Sequence, residues 1–311
     1  MSLSIGTNES AMRASQAASI AARGMEASME RLSTGKRINS ASDDAAGVAI
    51  SSRLSAEVRG TNQSVRNALD AQALLDTAEG SHKEIENVLQ RMREIAVQSA
   101  NDTNNTQDRL NLQTEMNSMI KEIDRIAHAT TWAGQNLLDG DANGDPDTNA
   151  AFSFQVGSAT GTQNQISVNI GSTTAESLGL THTDGNSLAI VIADATATAN
   201  GRTATEHVTG NAATTAAGNA MVTIGVIDAA IEEVNTQRST LGATANRLNH
   251  TVNNLTNISA NLSSAQGRIQ DADFAIETTN LAKNQILQQA STAMLAQANA
   301  SQANVLGLLR S

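Results

Sequence analysis

Residues 224–269 read IGVIDAAIEEVNTQRSTLGATANRLNHTVNNLTNISANLSSAQGRI. Mostly apolar side chains alternate three and four positions apart through this stretch, at Ile224, Ile227, Ile231, Val234, Arg238, Leu241, Ala245, Leu248, Val252, Leu255, Ser259, Leu262, Gln266 and Ile269. This heptad spacing is typical of a coiled-coil helix. At the helical rise per residue, the stretch predicts a rod of roughly 70 Å.

Two upstream segments have the same spacing and are the predicted packing partners of this helix. They are separated by a polar turn at 101–108, NDTNNTQD, which is rich in Asn and Asp. The stripes are Ile85, Val88, Met92, Ile95 and Ser99, and then Leu112, Met116, Met119, Ile123 and Ile126. Residues 44–130 and 222–270 are therefore predicted to form an elongated helical bundle, and the fold class is mainly α.

The composition supports long helices and excludes several kinds of site. The chain has one Pro, one Trp, three Phe, no Tyr and no Cys, so helices are rarely interrupted and thiolate metal sites and disulfides are excluded. The net charge of −11 argues against a nucleic-acid partner. Residues 141–218 hold seven acidic residues and one arginine, which predicts a solvated middle segment.

The C-terminal helix has an unusual surface. From 284 to 309 there is no formally charged residue, but many Gln and Asn side chains make the stretch too polar for a membrane span. A helix that is polar without charge is expected to be packed on most sides. We therefore expect the stripe that includes Leu287, Met294, Val305 and Leu308 to meet neighbouring copies.

The sequence lacks the patterns expected of a secreted or catalytic protein. There is no secretory signal pattern, so export would need another route. The five His are dispersed, and neither H-E-x-x-H nor a Gly-rich phosphate loop with Lys occurs. We expect no enzymatic activity and no cofactor.

The middle of the chain has shorter periods. Residues 152–156 and 166–170 alternate as a β-hairpin would, and 187–193 is a third candidate strand. Just before them, Asp139, Asp141, Asn143 and Asp145 fit the first half of a calcium loop. Ala150 stands where the bidentate Glu should be and Pro146 where an apolar residue should be. An acidic surface turn is therefore the favoured interpretation over a calcium site.

Several motifs together resemble bacterial flagellin. The matching segments are ERLSTGKRINSASDDAAGVAI at 30–50, LQRMREIAVQSAN at 89–101, FQVGSATG at 154–161, RSTLGATANRL at 238–248, RIQDADFA at 268–275, ILQQASTAMLAQAN at 286–299 and NVLGLLR at 304–310. The resemblance implies an inner domain made of both terminal helices, a helical rod domain and a connector between them. The chain is thus expected to be a self-assembling subunit of the flagellar filament.

The resemblance also implies domain bounds. Residues 1–42 and 271–311 would form the inner core domain, 43–180 and 219–270 the rod domain with its β-hairpin, and 181–218 a short outer segment. In the connector, Lys36 and Arg37 are expected to meet acids of a neighbouring subunit. The SASDD run, with Asp43 and Asp44, is expected to cap the next helix.

The resemblance further implies partners. These are other copies of the chain, the flagellar export apparatus with a secretion chaperone, the filament cap and the hook-associated proteins, and the location is extracellular. The positions similar to the family's contacts with the vertebrate toll-like receptor for flagellin are Arg91, Ile95 and Glu115. Periodicity alone leaves Arg91 and Glu94 on a charged outer face of the bundle.

Two alternatives remain at the level of sequence. A hook–filament junction protein would have similar terminal helices, although the RINSASDDAAG and LGLLR segments favour the filament subunit. An adhesin or glycan-binding homologue would use residues 141–218. Deleting that segment would then abolish ligand binding and leave polymerisation intact.

Overall fold

The structure is a computed structural model that describes residues 8–140, 150–181, 198–199, 202–203 and 216–310; for 198–199, 202–203, 216–219 and 302–310 it describes the backbone alone. The predicted mainly α fold with a small β region is confirmed. The helices are α1 Glu9–Thr34, α2 Ala45–Ala100, α3 Thr106–Ala129, α4 Ala216–Gln270 and α5 Phe274–Arg310. The strands are β1 Thr131–Trp132, β2 Gln135–Asn136, β3 Ala150–Gln155, β4 Gln165–Ile170, β5 Thr198–Ala199 and β6 Arg202–Thr203.

The strands form three antiparallel pairs, β1 with β2, β3 with β4, and β5 with β6. The predicted hairpin is the second pair, in which Phe152 stands opposite Val168 and Phe154 opposite Ile166. Ile166, Val168 and Ile170 are buried while the residues between them are exposed, as expected for a sheet with one covered face. The third candidate strand, 187–193, lies outside the described residues.

The chain divides into two compact units. Unit 1 consists of Met1–Arg59 and Ile258–Ser311, and unit 2 of Gly60–Asn257. In unit 2, the core is contributed by α2, α3, α4, the β3–β4 hairpin and the segment after it. The largest fully buried side chains are Leu75, Ile85, Leu89, Met92, Ile95, Met116, Ile123, Leu137, Leu138, Ile170 and Leu180.

The predicted turn between the second and third helices is shorter than the polar sequence suggests. Helix α3 begins at Thr106, inside the predicted turn of 101–108. The reason is a capping box: Asn105 accepts a hydrogen bond from the Asp108 amide (2.9 Å), and the Asp108 carboxylate accepts one from the Asn105 amide (3.1 Å). Such reciprocal bonds satisfy amides that the first turn leaves free, so polar residues begin the helix here.

In unit 1, helix α1 packs along helix α5. Most buried residues of this pair are small, namely Ala21, Ser28 and Ala298, and the larger exception is Glu277. A Cβ on Gly24 would stand 2.7 Å from the side-chain nitrogen of Asn284. The Asn284 side chain therefore occupies the space beside Gly24, and little large apolar surface is buried between the two helices.

No helix among the described residues is long and apolar enough to cross a membrane.

Candidate assembly surfaces

The paired helices of unit 1 expose large apolar side chains. Leu287 is 45% exposed and Met294 63% exposed, whereas the side chains of Val305 and Leu308 lie outside the described residues. Other exposed apolar residues of this pair are Met12, Ile20, Met29, Phe274, Ile276 and Ile286, all more than half exposed. Eight large, exposed apolar side chains on one helix pair are more than isolated surface residues and make this pair a candidate interaction surface.

One ion pair joins the two helices. The Arg31 guanidinium donates to Glu277 at 3.1 Å, and the Glu277 side chain is only 7% exposed. The other Glu277 carboxylate oxygen is buried without a hydrogen-bond partner among the described residues. Because a buried carboxylate without a counter-charge is strongly destabilising, Arg31 compensates the charge of Glu277 across the α1–α5 contact.

The connector between α1 and α2 pairs with the chain before α5. Helix α1 ends at Gly35, whose φ of 70° is the left-handed conformation that glycine adopts easily. The Gly35 carbonyl accepts from the Ala272 amide (2.9 Å), and the Arg37 amide donates to the Gln270 carbonyl (2.7 Å). Lys36 forms an isolated β-bridge with Asp271. The stretch is thus fixed by backbone bonds.

The two predicted basic residues of the connector, Lys36 and Arg37, both have exposed side chains. The Arg37 guanidinium donates to the Ile269 carbonyl at 2.8 Å, at the end of α4. Arg37 therefore stabilises a helix terminus in its own chain, as cations near a helix C-terminus do.

The two predicted acids of the connector act differently. Asp44 accepts from the Gly47 amide (2.9 Å) and so caps α2. Asp43 accepts from the Ser40 amide (2.9 Å), the Asn39 amide (3.1 Å) and the Ser40 hydroxyl. Hydrogen bonds from Ser40 and Asn39 hold the pKa of the Asp43 carboxyl below its usual range. Asp43 thereby holds the loop in shape.

A charged surface lies on α2 and α3 of unit 2. Arg91 donates to Glu94 at 2.8 Å and to Glu115 at 3.1 Å, and all three side chains are substantially exposed. These two acids raise the pKa of Arg91, Glu94 being the larger cause. The network borders a depression of about 350 Å³ over Val88 and Met119.

Ile95 does not share this surface with Arg91 and Glu115. Its side chain is fully buried in the core of unit 2. Ile95 belongs to the same inward-facing apolar stripe as Ile85 and Met92. In the isolated chain, Ile95 packs beneath this surface and is not accessible to a partner protein.

The acidic turn near 139 is only partly described. Asp139 lies 3.2 Å from His128 Nδ1 and accepts from the Asn136 side chain at 3.2 Å. Asp141, Asn143 and Asp145 lie outside the described residues. Within the described part of the chain, no group of three or more His, Asp or Glu side chains is arranged to hold a metal.

Unit 2 contains a buried polar layer that the heptad stripes given above do not include. His82 is fully buried, and its ring nitrogens lie 2.7 Å from the Ala78 carbonyl oxygen and 2.9 Å from the Gln237 side-chain oxygen. The next residue, Arg238, pairs with Glu86 and lies 3.9 Å from Glu79. His82 stands three positions before Ile85, so continuing the heptad toward the N-terminus would have found it.

Comparison with known proteins agrees with this architecture. The family model of the bacterial flagellin N-terminal helical region matches residues 5–143, and that of the C-terminal helical region matches 224–309. Flagellin of Bacillus subtilis strain 168 is 42% identical over 91% of each chain. Polar flagellin A of Vibrio parahaemolyticus is 34% identical over 99% of this chain and 100% of its own.

A solved structure shows a similar fold. It belongs to a Vibrio parahaemolyticus protein assigned as flagellar hook-associated, with a TM-score of 0.54, 18% identity, and coverage of 74% of this chain and 100% of that one. At this identity the likeness concerns the fold alone. The two matched family models together span most of the sequence, from residue 5 to 143 and from 224 to 309, and with the relatives they show that the chain belongs to the bacterial flagellin family.

Proposed function

We propose that this chain is a structural subunit that polymerises into the bacterial flagellar filament. The observation that supports this most directly is the exposed apolar surface of the α1–α5 pair, including Leu287 and Met294. Burying one such side chain fully stabilises a contact by about 1.5–3 kcal/mol. Burial of several such side chains favours association, in opposition to the entropic cost of joining two copies.

The proposed layers of the filament follow the domain bounds expected from the sequence. Residues 1–42 and 271–311 form the inner layer, 43–180 and 219–270 the rod, and 181–218 a short outer segment. A contact between different surfaces of successive copies does not close on itself and so generates a filament. In the connector, Lys36 is the better candidate for an intersubunit ion pair, because Arg37 already binds Ile269 in its own chain.

The relatives favour the filament subunit over the alternatives. Relatives aligned over nearly the whole chain include proteins named as flagellins and, in Treponema maltophilum and Treponema phagedenis, as flagellar filament core proteins. A structural role explains why the chain needs no catalytic constellation. Secretion into the extracellular space by the flagellar export apparatus with a chaperone, and contact with the filament cap and hook-associated proteins, belong to the same proposal.

Recognition by the vertebrate toll-like receptor is a further part of the proposal, and it concerns the surface of Arg91 and Glu115. Both side chains are accessible and bonded to each other. Ile95 contributes by supporting α2 from inside. A reporter-cell assay with Arg91→Ala tests this: loss of signalling in a variant with an unchanged circular dichroism spectrum supports recognition, and full signalling contradicts it.

The principal experiment compares the full chain with a chain lacking residues 271–311. Both are seeded under salting-out conditions and followed by light scattering and electron microscopy. We expect long filaments from the full chain and only monomer from the truncated one. A full chain that stays monomeric with added seeds would contradict the proposed function.

A further inference from the structure

A glycine in the middle of α2, Gly80, has no close neighbour among the described residues that would explain it. Glycine is the least favourable helix-interior residue apart from proline. Gly24 and Gly47 are explained by close neighbours, at 2.7 Å from Asn284 and 2.5 Å from Asp44 for a Cβ placed there. At Gly80 no atom of the described part of the chain lies within 4 Å of the Cβ position. Alanine would therefore fit the monomer and strengthen the helix.

Gly80 lies in a groove between α2 and α3, which we call the α2/α3 groove. Its volume is about 440 Å³, and it is lined by Asp76, Gly80, Glu84, Val88, Glu122 and Ile126 among others. The depression beside Arg91 shares Val88 and Glu122 with it, so the two are continuous. The missing side chain thus widens a groove at the point where α2 would otherwise narrow it.

The α2/α3 groove is acidic with an apolar floor. Asp76, Glu84 and Glu122 line it, and its cation, Arg125, donates to Glu122 at 2.6 Å and 2.8 Å. Val88 and Ile126 provide the apolar part. A complementary occupant carries a positive charge on an extended or helical segment with small side chains.

Helix α2 contains such a segment. Residues 51–69 hold three arginines, Arg53, Arg59 and Arg66, and one glutamate, whereas residues 70–86 hold five acids and one lysine. All three arginine side chains are exposed. A second copy displaced along the helix direction would bring its basic stretch to the acidic groove.

We infer that the α2/α3 groove receives the basic stretch of α2 from a second copy of this chain. The backbone of the incoming helix then occupies the space that a side chain at Gly80 would fill. This rests on the proposed function, because it assigns one contact of the filament. It also explains why α2 keeps a residue that weakens the helix.

The first experiment compares Gly80→Ala with Gly242→Ala in the full chain. Gly242 is the matched control: it lies inside α4, nothing stands within 4 Å of its Cβ position, and it does not line the groove. Both variants are expected to raise the melting temperature of the monomer by about 2–4 °C. Gly80→Ala is expected to raise the critical concentration for polymerisation about tenfold through steric overlap, and Gly242→Ala to leave it within about twofold.

The outcomes separate this inference from the proposed function. Wild-type protein that does not polymerise would contradict both. If wild-type protein polymerises and Gly80→Ala has the same critical concentration, the filament function stands and this inference is wrong. Equal inhibition by Gly80→Ala and Gly242→Ala would also overturn it, since the effect would then not belong to the groove.

The second experiment tests the occupant by charge exchange. Glu84→Arg alone and Arg66→Glu alone are each expected to raise the critical concentration about fivefold, since close like charges repel across a contact. The double variant restores an opposite pair between successive copies and should return to within about twofold of the wild type. A double variant as poor as the worse single variant would show that the basic stretch of α2 is not the occupant.

Discussion

Units 1 and 2 are both helical, but their contacts are of different kinds. Unit 2 buries large side chains such as Leu89, Met92 and Ile123 completely. The α1–α5 pair of unit 1 buries mainly small residues such as Ala21 and Ser28 together with the Glu277 carboxylate, and leaves many of its large apolar residues exposed. Unit 2 therefore has a core of large side chains within one chain, whereas much of the large apolar surface of unit 1 is accessible to other copies.

The largest expected effect is on the core of unit 2. Leu89→Ala removes a fully buried side chain and should lower the free energy of unfolding by about 3 kcal/mol. Denaturant unfolding followed by circular dichroism measures it. A loss under about 1 kcal/mol would show that this core is not tightly packed.

The corresponding substitution in unit 1 is expected to weaken assembly more than folding. Leu287→Ala changes a side chain that is 45% exposed, so the free energy of unfolding of the monomer should fall by less than about 1 kcal/mol. The critical concentration for polymerisation should rise about tenfold, because the lost burial weakens each subunit contact. Light scattering across a protein dilution series measures this, and a variant with an unchanged critical concentration would place Leu287 outside the contact.

Ion pairs are expected to follow the same division. Arg31→Met leaves the buried Glu277 without its cation and should destabilise the α1–α5 pair by about 2 kcal/mol. Arg93→Met breaks a pair with Asp228 in which both side chains are 48% exposed, and it should cost at most about 1 kcal/mol. Hydrogen exchange of α5 and of α4 reports the two losses separately.

A double variant provides the control for this pair. Arg31→Met combined with Glu277→Gln removes both charges and should recover part of the loss seen with Arg31→Met alone. If Arg31→Met and Arg93→Met lower the stability by the same amount, the burial of an ion pair does not determine its contribution here.

The smallest expected effect is the acid sensitivity of the connector. The folded pKa of Asp43 lies below its ordinary value of 3.8, so the carboxylate stabilises the loop above that pH. This stabilisation is lost as the pH falls from there through the folded pKa. Asp43→Asn should therefore be less stable than the wild type at neutral pH, and the difference should shrink below about pH 4. A stability difference between Asp43→Asn and the wild type that does not change with pH would contradict this role of the Asp43 carboxylate.

The helical parts of the fold follow from local spacing, and the sequence therefore predicts them. Ile85, Met92, Ile123 and Leu248 all lie on heptad stripes and all are buried. The β3–β4 hairpin follows from alternation. These patterns depend on neighbours a few residues away, so one sequence is enough to recognise them.

Features that depend on distant partners could not be predicted in the same way. The counter-charge of Glu277 is Arg31, 246 positions earlier, and the partner of His82 is Gln237, 155 positions later. Arg37 binding to a carbonyl rather than an acid depends on where α4 ends. The charged surface was located by the family resemblance, whereas the burial of Ile95 beneath it follows from the apolar stripe that it shares with Ile85 and Met92.

Asn8 at the start of α1 caps its own helix and also donates to the Ala298 carbonyl, 290 residues later in the chain. Helix α1 is therefore translated well before the helix to which this bond joins it, α5. At roughly 5–20 residues per second, a ribosome needs roughly 10–50 s to pass from the end of α1 to the start of α5. During that time α1 has no partner within its own chain, and a nascent-chain binding factor would meet it as a free amphipathic segment.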